Sequence, residues 1–106
     1  MWRVNGNDLE MVEGDYGIGL PVTVSGTTLT QQDSLRFTFK KAVYGTTVLE
    51  KDYTEITANT AQLALTKAES ELFPAGTYAY SLDWYQSGTF MCNIIPTALF
   101  KVVGKV

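Results

Sequence analysis

The 106-residue chain contains no histidine and a single cysteine, Cys92. Ser-His-Asp and Cys-His catalytic arrangements are therefore excluded, because both need an imidazole as base. Zinc and redox-metal sites lose their commonest ligands for the same reason. One cysteine cannot close an intramolecular disulfide, so folding does not require an oxidising compartment. Set in an apolar run, Cys92 reads as a small buried hydrophobe. Basic residues are also scarce, 8 against 11 acidic ones for a net charge of −3. Only Lys40 and Lys41 are adjacent, which suits a solvated strand end, and no basic stripe exists to follow a phosphate backbone. A nucleic-acid partner is not expected. Apolar runs are too short to span a bilayer, so no membrane insertion is expected. The start, Met1-Trp2-Arg3-Val4-Asn5-Gly6, lacks the apolar core of a secretory signal, and a soluble protein made in a cytoplasm without a signal peptide, whatever its final location, is the expectation.

What is present is the pattern of one all-β domain over residues 1–106, with 45% hydrophobic and 18% charged residues. Trp2 and Val4 open a short strand ended by Asn5-Gly6, a pair suited to a tight turn. Ile18, Leu20, Val22 and Val24 alternate with Gly19, Pro21, Thr23 and Ser25, and Pro21 marks an edge or bulge. Leu35, Phe37 and Phe39 alternate with Arg36, Thr38 and Lys40, a half-buried strand. Val48 to Tyr53 is a weaker strand carrying Glu50, Lys51 and Asp52, and Ala61, Leu63 and Leu65 alternate next. Tyr78, Tyr80, Leu82 and Trp84 form one face of a long strand. Phe90 to Ile95, a break at Pro96, and Phe100 to Val103 complete the chain. Seven or eight short strands at this spacing predict an antiparallel sandwich.

Between two of these strands lies a corner. Thr66-Lys67-Ala68-Glu69 has the form of a capping box opening one short helical turn near residues 67–73, which Pro74 stops. Ala68, Leu72 and Phe73 would face inward at helical spacing. Gly76 permits the corner and Tyr78 begins the strand that leaves it. Thr66, Glu69, Pro74, Gly76 and Tyr78 thus mark the crossing before the sixth strand of an immunoglobulin-like sandwich.

No segment points to chemistry. Gly14, Gly17 and Gly19 precede a strand rather than a helix, so they form no phosphate loop. Glu10, Glu13 and Asp15 lack the regular spacing of a calcium loop and read as solvated. Asp83, opposite the aromatic face, suits a pair with a neighbouring lysine or an interface, and no carboxylate pair for glycoside cleavage is nominated. The expectation is a non-enzyme with no catalytic residue, metal or cofactor. The suggestive region is the hairpin from Trp84 to Ile95. With a three-residue loop, Gln86-Ser87-Gly88, Trp84 pairs with Phe90, and Met91 and Ile95 point outward near Tyr85. With a two-residue loop, Ser87-Gly88, Phe90, Cys92 and Ile94 point outward instead. Either register leaves apolar side chains on the far face, to be covered by the segment around Trp2 or by another subunit. The candidate interaction surface is therefore Trp2, Tyr85, Phe90, Met91 and Ile95.

Several stretches, namely Glu13-Gly14-Asp15-Tyr16-Gly17, Leu35-x-Phe37-x-Phe39-Lys40, Leu63-x-Leu65-Thr66-x-x-Glu69, Phe73-Pro74-Ala75-Gly76-Thr77-Tyr78 and Phe100-x-Val102, follow one another along nearly the whole chain. In that layout the chain resembles the immunoglobulin-like domains of phage and prophage tail proteins from Gram-positive hosts, in particular the N-terminal domain of upper-baseplate proteins. The resemblance implies a virion component that binds other tail proteins or itself, with no catalytic residues to carry over. Tyr80 stands where antibody domains have their second cysteine. Ending at Val106, the chain has no stalk or receptor-binding region of the full baseplate proteins, which argues against direct host contact. A second class of function is a carbohydrate-type ligand module using Trp2, Tyr53 or Tyr85 as a stacking platform.

Overall fold

Alternating burial sets the centre of the molecule. In the computed structural model, which describes residues 2–30 and 32–104, Leu35, Phe37 and Phe39 are at most 1% exposed while the residues between them are half-buried. In chain order the elements are β1 (Arg3–Asn5), β2 (Asp8–Val12), β3 (Leu20–Thr23), β4 (Asp33–Lys40), β5 (Thr47–Tyr53), β6 (Thr60–Leu63), α1 (Lys67–Ser70), β7 (Gly76–Gln86) and β8 (Thr89–Val103). A six-stranded sheet runs β1-β2-β8-β7-β4-β5, and β3 pairs with β6 in a second, two-stranded sheet. This is an all-β sandwich. The pair β3 and β6 facing β8, β7, β4 and β5 corresponds to the division of strands in immunoglobulin-type domains. One pairing is not antiparallel: β2 runs parallel to β8, with Leu9 opposite Phe100 and Val12 opposite Val103, which makes the large sheet mixed.

The core forms where the inner faces meet. Phe37 lies opposite Leu82 and Phe39 opposite Tyr80 across β4 and β7, and Tyr78 lies opposite Phe100 across β7 and β8. Ala61 and Leu63 of β6 close the other side, both buried. The strand expected from Ile18 to Val24 is shorter, Leu20–Thr23, and Ile18 is 52% exposed. Its partner β6 is only four residues long, so pairing ends before Ile18.

The corner is built as its sequence implies. Thr66 Oγ1 accepts from Glu69 N at 3.1 Å and Glu69 Oε1 accepts from Thr66 N at 2.8 Å, a complete capping box. The Tyr78 hydroxyl donates to Pro74 O at 2.6 Å, the back-bond of a tyrosine corner. Glu13 Oε2 accepts from Ala75 N at 3.1 Å and ties the corner to the end of β2. Because α1 is a single turn, its inward positions are Ser70 and Phe73, whereas Ala68 and Leu72 face solvent, contrary to the helical-spacing expectation. Lys51, on the inner side of β5 opposite Phe37, donates to Ala64 O at 2.6 Å and to Glu69 Oε1 at 2.7 Å. Burial opposes its charge, but the bond to Glu69 and the neighbouring Tyr53 hold the Lys51 pKa above its ordinary value. Thr66→Ala, which removes the cap acceptor, is expected to lower stability by about 1 kcal/mol in urea denaturation. A loss indistinguishable from zero would show that the Thr66 hydroxyl adds nothing to the bonds from Thr66 N and Lys51 that already hold Glu69.

Candidate interaction surface

The β7–β8 hairpin turns on Ser87-Gly88, with φ 49° and 81°, the left-handed pair of a two-residue loop. Ser87 N donates to Gln32 O at 2.8 Å, which fastens the turn to the loop before β4. Pairing starts with Gln86 opposite Thr89 and Tyr85 opposite Phe90. The register then slips, so that Trp84 lies opposite Cys92 and Met91 is left without a partner. Neither simple register holds to the end of the hairpin. The loop is the two-residue one and Phe90 points outward with Tyr85, but the bulge at Met91 returns Cys92 to the Trp84 side.

A further slip places Ile95 opposite Leu82, on the core-facing side, where it packs against the core. Ile95 therefore leaves the outward surface on which the sequence placed it. Trp2 leaves it too. Its ring packs on Phe100 at 5.8 Å and its Nε1 donates to Ile18 O at 2.9 Å, on the core side and at the far end of β8 from the hairpin tip. Trp2 does not cover the hairpin, because β1 pairs with β2 and reaches β8 only through it. Tyr85, Phe90 and Met91 remain together. Phe90 is 53% and Met91 42% exposed, and the Phe90 ring meets Tyr85 edge-on at 5.7 Å. Cys92 is exposed rather than buried, on the wall of an open groove instead of in the core.

Two polar devices hold the hairpin in place, and neither was singled out in the sequence. Arg36 stacks over Tyr85 at 4.3 Å and is gripped by Asp52 through two bonds of 2.7 and 3.2 Å. That grip outweighs burial and raises the Arg36 pKa. Beneath, the buried Asp33 accepts from Thr30 N at 2.6 Å, from Thr30 Oγ1 at 3.1 Å and from Trp84 Nε1 at 2.8 Å. These bonds, that from the Thr30 amide foremost, keep its pKa below the ordinary 3.8 against the opposing effect of burial. The Thr30-x-x-Asp33 spacing was the legible sign, a short polar pair placed to bond its own backbone. Between Trp84, Cys92 and Ile94 on one side and Thr23, at the end of β3, with the following loop on the other lies that groove, about 340 Å³ in volume.

No family model, no curated protein and no solved structure matches this chain. The remaining expected sites resolve differently. Asp83 accepts from Asn93 Nδ2 at 2.5 Å rather than pairing with a lysine. Glu13 serves the corner, Glu10 lies 3.9 Å from Arg3, and no three potential ligands cluster for a metal among the described residues. No described helix is long and apolar enough to cross a membrane. Tyr53, Tyr85 and Trp2, the aromatics named for ligand stacking, each already have a neighbour: Phe37 edge-on at 5.6 Å, Arg36 over the ring, and Phe100.

Proposed function

We propose that the chain is a non-enzymatic structural or adaptor domain that works through protein–protein contacts, in the setting its sequence resembles, a phage or prophage tail or baseplate. The observation that carries this reading is the hairpin end, where Phe90 and Met91 stand exposed on a stretch of β8 without charge. A sheet face that meets only water keeps polar side chains, so an apolar end of this kind is suited to a protein partner. The neighbours already packed against Trp2, Tyr53 and Tyr85 weigh against the carbohydrate-type alternative, since each reduces the bare ring on which a sugar could stack. Assembly into a virion or phage-like particle follows from the same reading.

The test is co-expression with the products of the neighbouring genes, followed by purification of the complex. A stable complex is expected with at least one of them, and Phe90→Glu is expected to weaken it about tenfold or more, the loss of a buried aromatic anchor. Circular dichroism of Phe90→Glu checks that the sheet persists. Failure to co-purify with any neighbouring product, or a complex indifferent to Phe90→Glu, would refute this assignment of the surface.

A further inference from the structure

The large sheet has an edge that is open in its middle. β2 lies beside β8 only from Phe100 to Val103, and Leu99 N is taken by Asp8 Oδ1 at 3.0 Å. From Thr89 to Ala98, no strand lies on that side of β8 among the described residues. Open edges are normally protected by charge, proline or brevity. β5 carries Glu50, Lys51 and Asp52, β1 is three residues long with Arg3, β3 contains Pro21, and β6 has four residues. Thr89 to Leu99 contains no charged residue, and its only protections are Pro96 and the register slips against β7.

The order of residues along this edge is close to symmetric in polarity: Thr89-Phe90-Met91-Cys92-Asn93-Ile94-Ile95-Pro96-Thr97. Read outward from Asn93, every apolar residue on one side is matched by an apolar residue at the same distance on the other, and threonines close both ends. We propose that this edge pairs with the same edge of a second copy of the chain, antiparallel about a two-fold axis at Asn93. Cys92 then lies opposite Ile94 of the second copy, both on the side that lines the groove beside Trp84, and the slips at Met91 and Ile94 confine regular pairing to the residues next to Asn93. An uncharged strand offers itself no repulsion, and an isologous contact of this kind closes at two copies rather than growing into a filament. Main-chain bonds supply the attraction, and the two symmetry-related Cys92–Ile94 pairs fix the register. Pro96, with no N–H, bounds the paired length, so the contact falls at the small end of interfaces, below about 1,200 Å², and the dimer is weak and concentration-dependent.

This inference names a partner for the hairpin proposed above as a contact surface, and its test does not depend on any other protein. Sedimentation equilibrium of the purified chain over about 10 µM to 1 mM is expected to give a mass rising from monomer towards dimer, a span that covers weak dissociation constants. Cys92→Lys, which sets a charge against the apolar residue opposite, is expected to raise the dimer dissociation constant about tenfold or more. In a Cys92→Ser background, Asn93→Cys places one thiol per copy on the axis. Directly opposed Cα atoms lie about 4.5–5.5 Å apart, within disulfide reach, so mild oxidation is expected to give a covalent dimer. Tyr44→Cys in the same background, on the 99% exposed loop tip, is the control expected to remain monomeric. A monomer mass at every concentration overturns the proposal. So does a dimer that survives Cys92→Lys unchanged and gives no crosslink at position 93, since its interface would then lie elsewhere.

Discussion

Phe100→Ala is expected to destabilise the domain by about 3–5 kcal/mol, the range for emptying a fully buried aromatic site. Phe100 is 0% exposed and meets four rings: Trp2 at 5.8 Å, Phe39 at 5.2 Å, Phe73 at 5.2 Å and Tyr78 at 6.1 Å. Those rings come from the N-terminal segment, β4, the turn after α1 and β7, so one substitution loosens four parts of the chain at once. Domains of this size have about 5–15 kcal/mol in all, which makes the variant marginal at 25 °C. Leu99→Ala is the matched comparison, one residue earlier and 48% exposed on the opposite face. Surface substitutions usually stay within about 0.5 kcal/mol. Urea denaturation of both variants decides the matter. Equal losses at the two positions would mean that the aromatic cluster does not organise the core.

The parts of this fold that are legible in the sequence are those governed by neighbours along the chain. The alternation of Leu35, Phe37 and Phe39 needs only a period of two to be read. Thr66 and Glu69 are three residues apart and satisfy each other, and Tyr78 reaches Pro74 four residues back. What the sequence hides depends on partners far away. The parallel pairing of Leu9 with Phe100 joins the two ends of the chain, and no local pattern encodes it. Met91 is left unpaired because the Ser87-Gly88 turn sets Gln86 opposite Thr89 and Tyr85 opposite Phe90, whereas Trp84 lies opposite Cys92. Between those pairings β8 has one residue too many and bulges. That bulge and the second slip at Ile94 together separate Phe90 and Met91, which stay exposed, from Ile95, which packs inward. Lys51 shows the same limit: a charge in a weak strand reads as solvated until Ala64 O and Glu69 are brought to it.

Asp33→Asn is expected to cost about 2–3 kcal/mol at pH 7, the range for disturbing bonds to a buried charged acceptor. The amide keeps one oxygen for Trp84 Nε1, but it sets an N–H₂ donor against the Thr30 amide and hydroxyl that the second carboxylate oxygen now accepts. The penalty should depend on pH in a definite direction. The folded state holds the Asp33 pKa below the ordinary 3.8, so the unfolded chain binds its proton more readily. Its contribution is therefore complete above the unfolded pKa and is lost as pH falls below 3.8 through the lower folded value. The amide of the variant has no proton to gain, so the gap between wild type and variant should narrow on going from pH 7 into this acid range. Glu69, whose pKa is also lowered, titrates in both proteins and cancels from the comparison; burial raises its pKa, and the bonds to Lys51 and Thr66 more than reverse this. Denaturation at neutral and acid pH measures the gap directly. A gap of constant size would mean that the charge of Asp33 contributes nothing and that its bonds act as neutral ones. Asp33 fixes both the Trp84 ring and the loop leading into β4, so the same variant should free the hairpin end. Slower crosslinking through Asn93→Cys in the Asp33→Asn background is the expected sign that the contact edge is ordered from beneath by this one carboxylate.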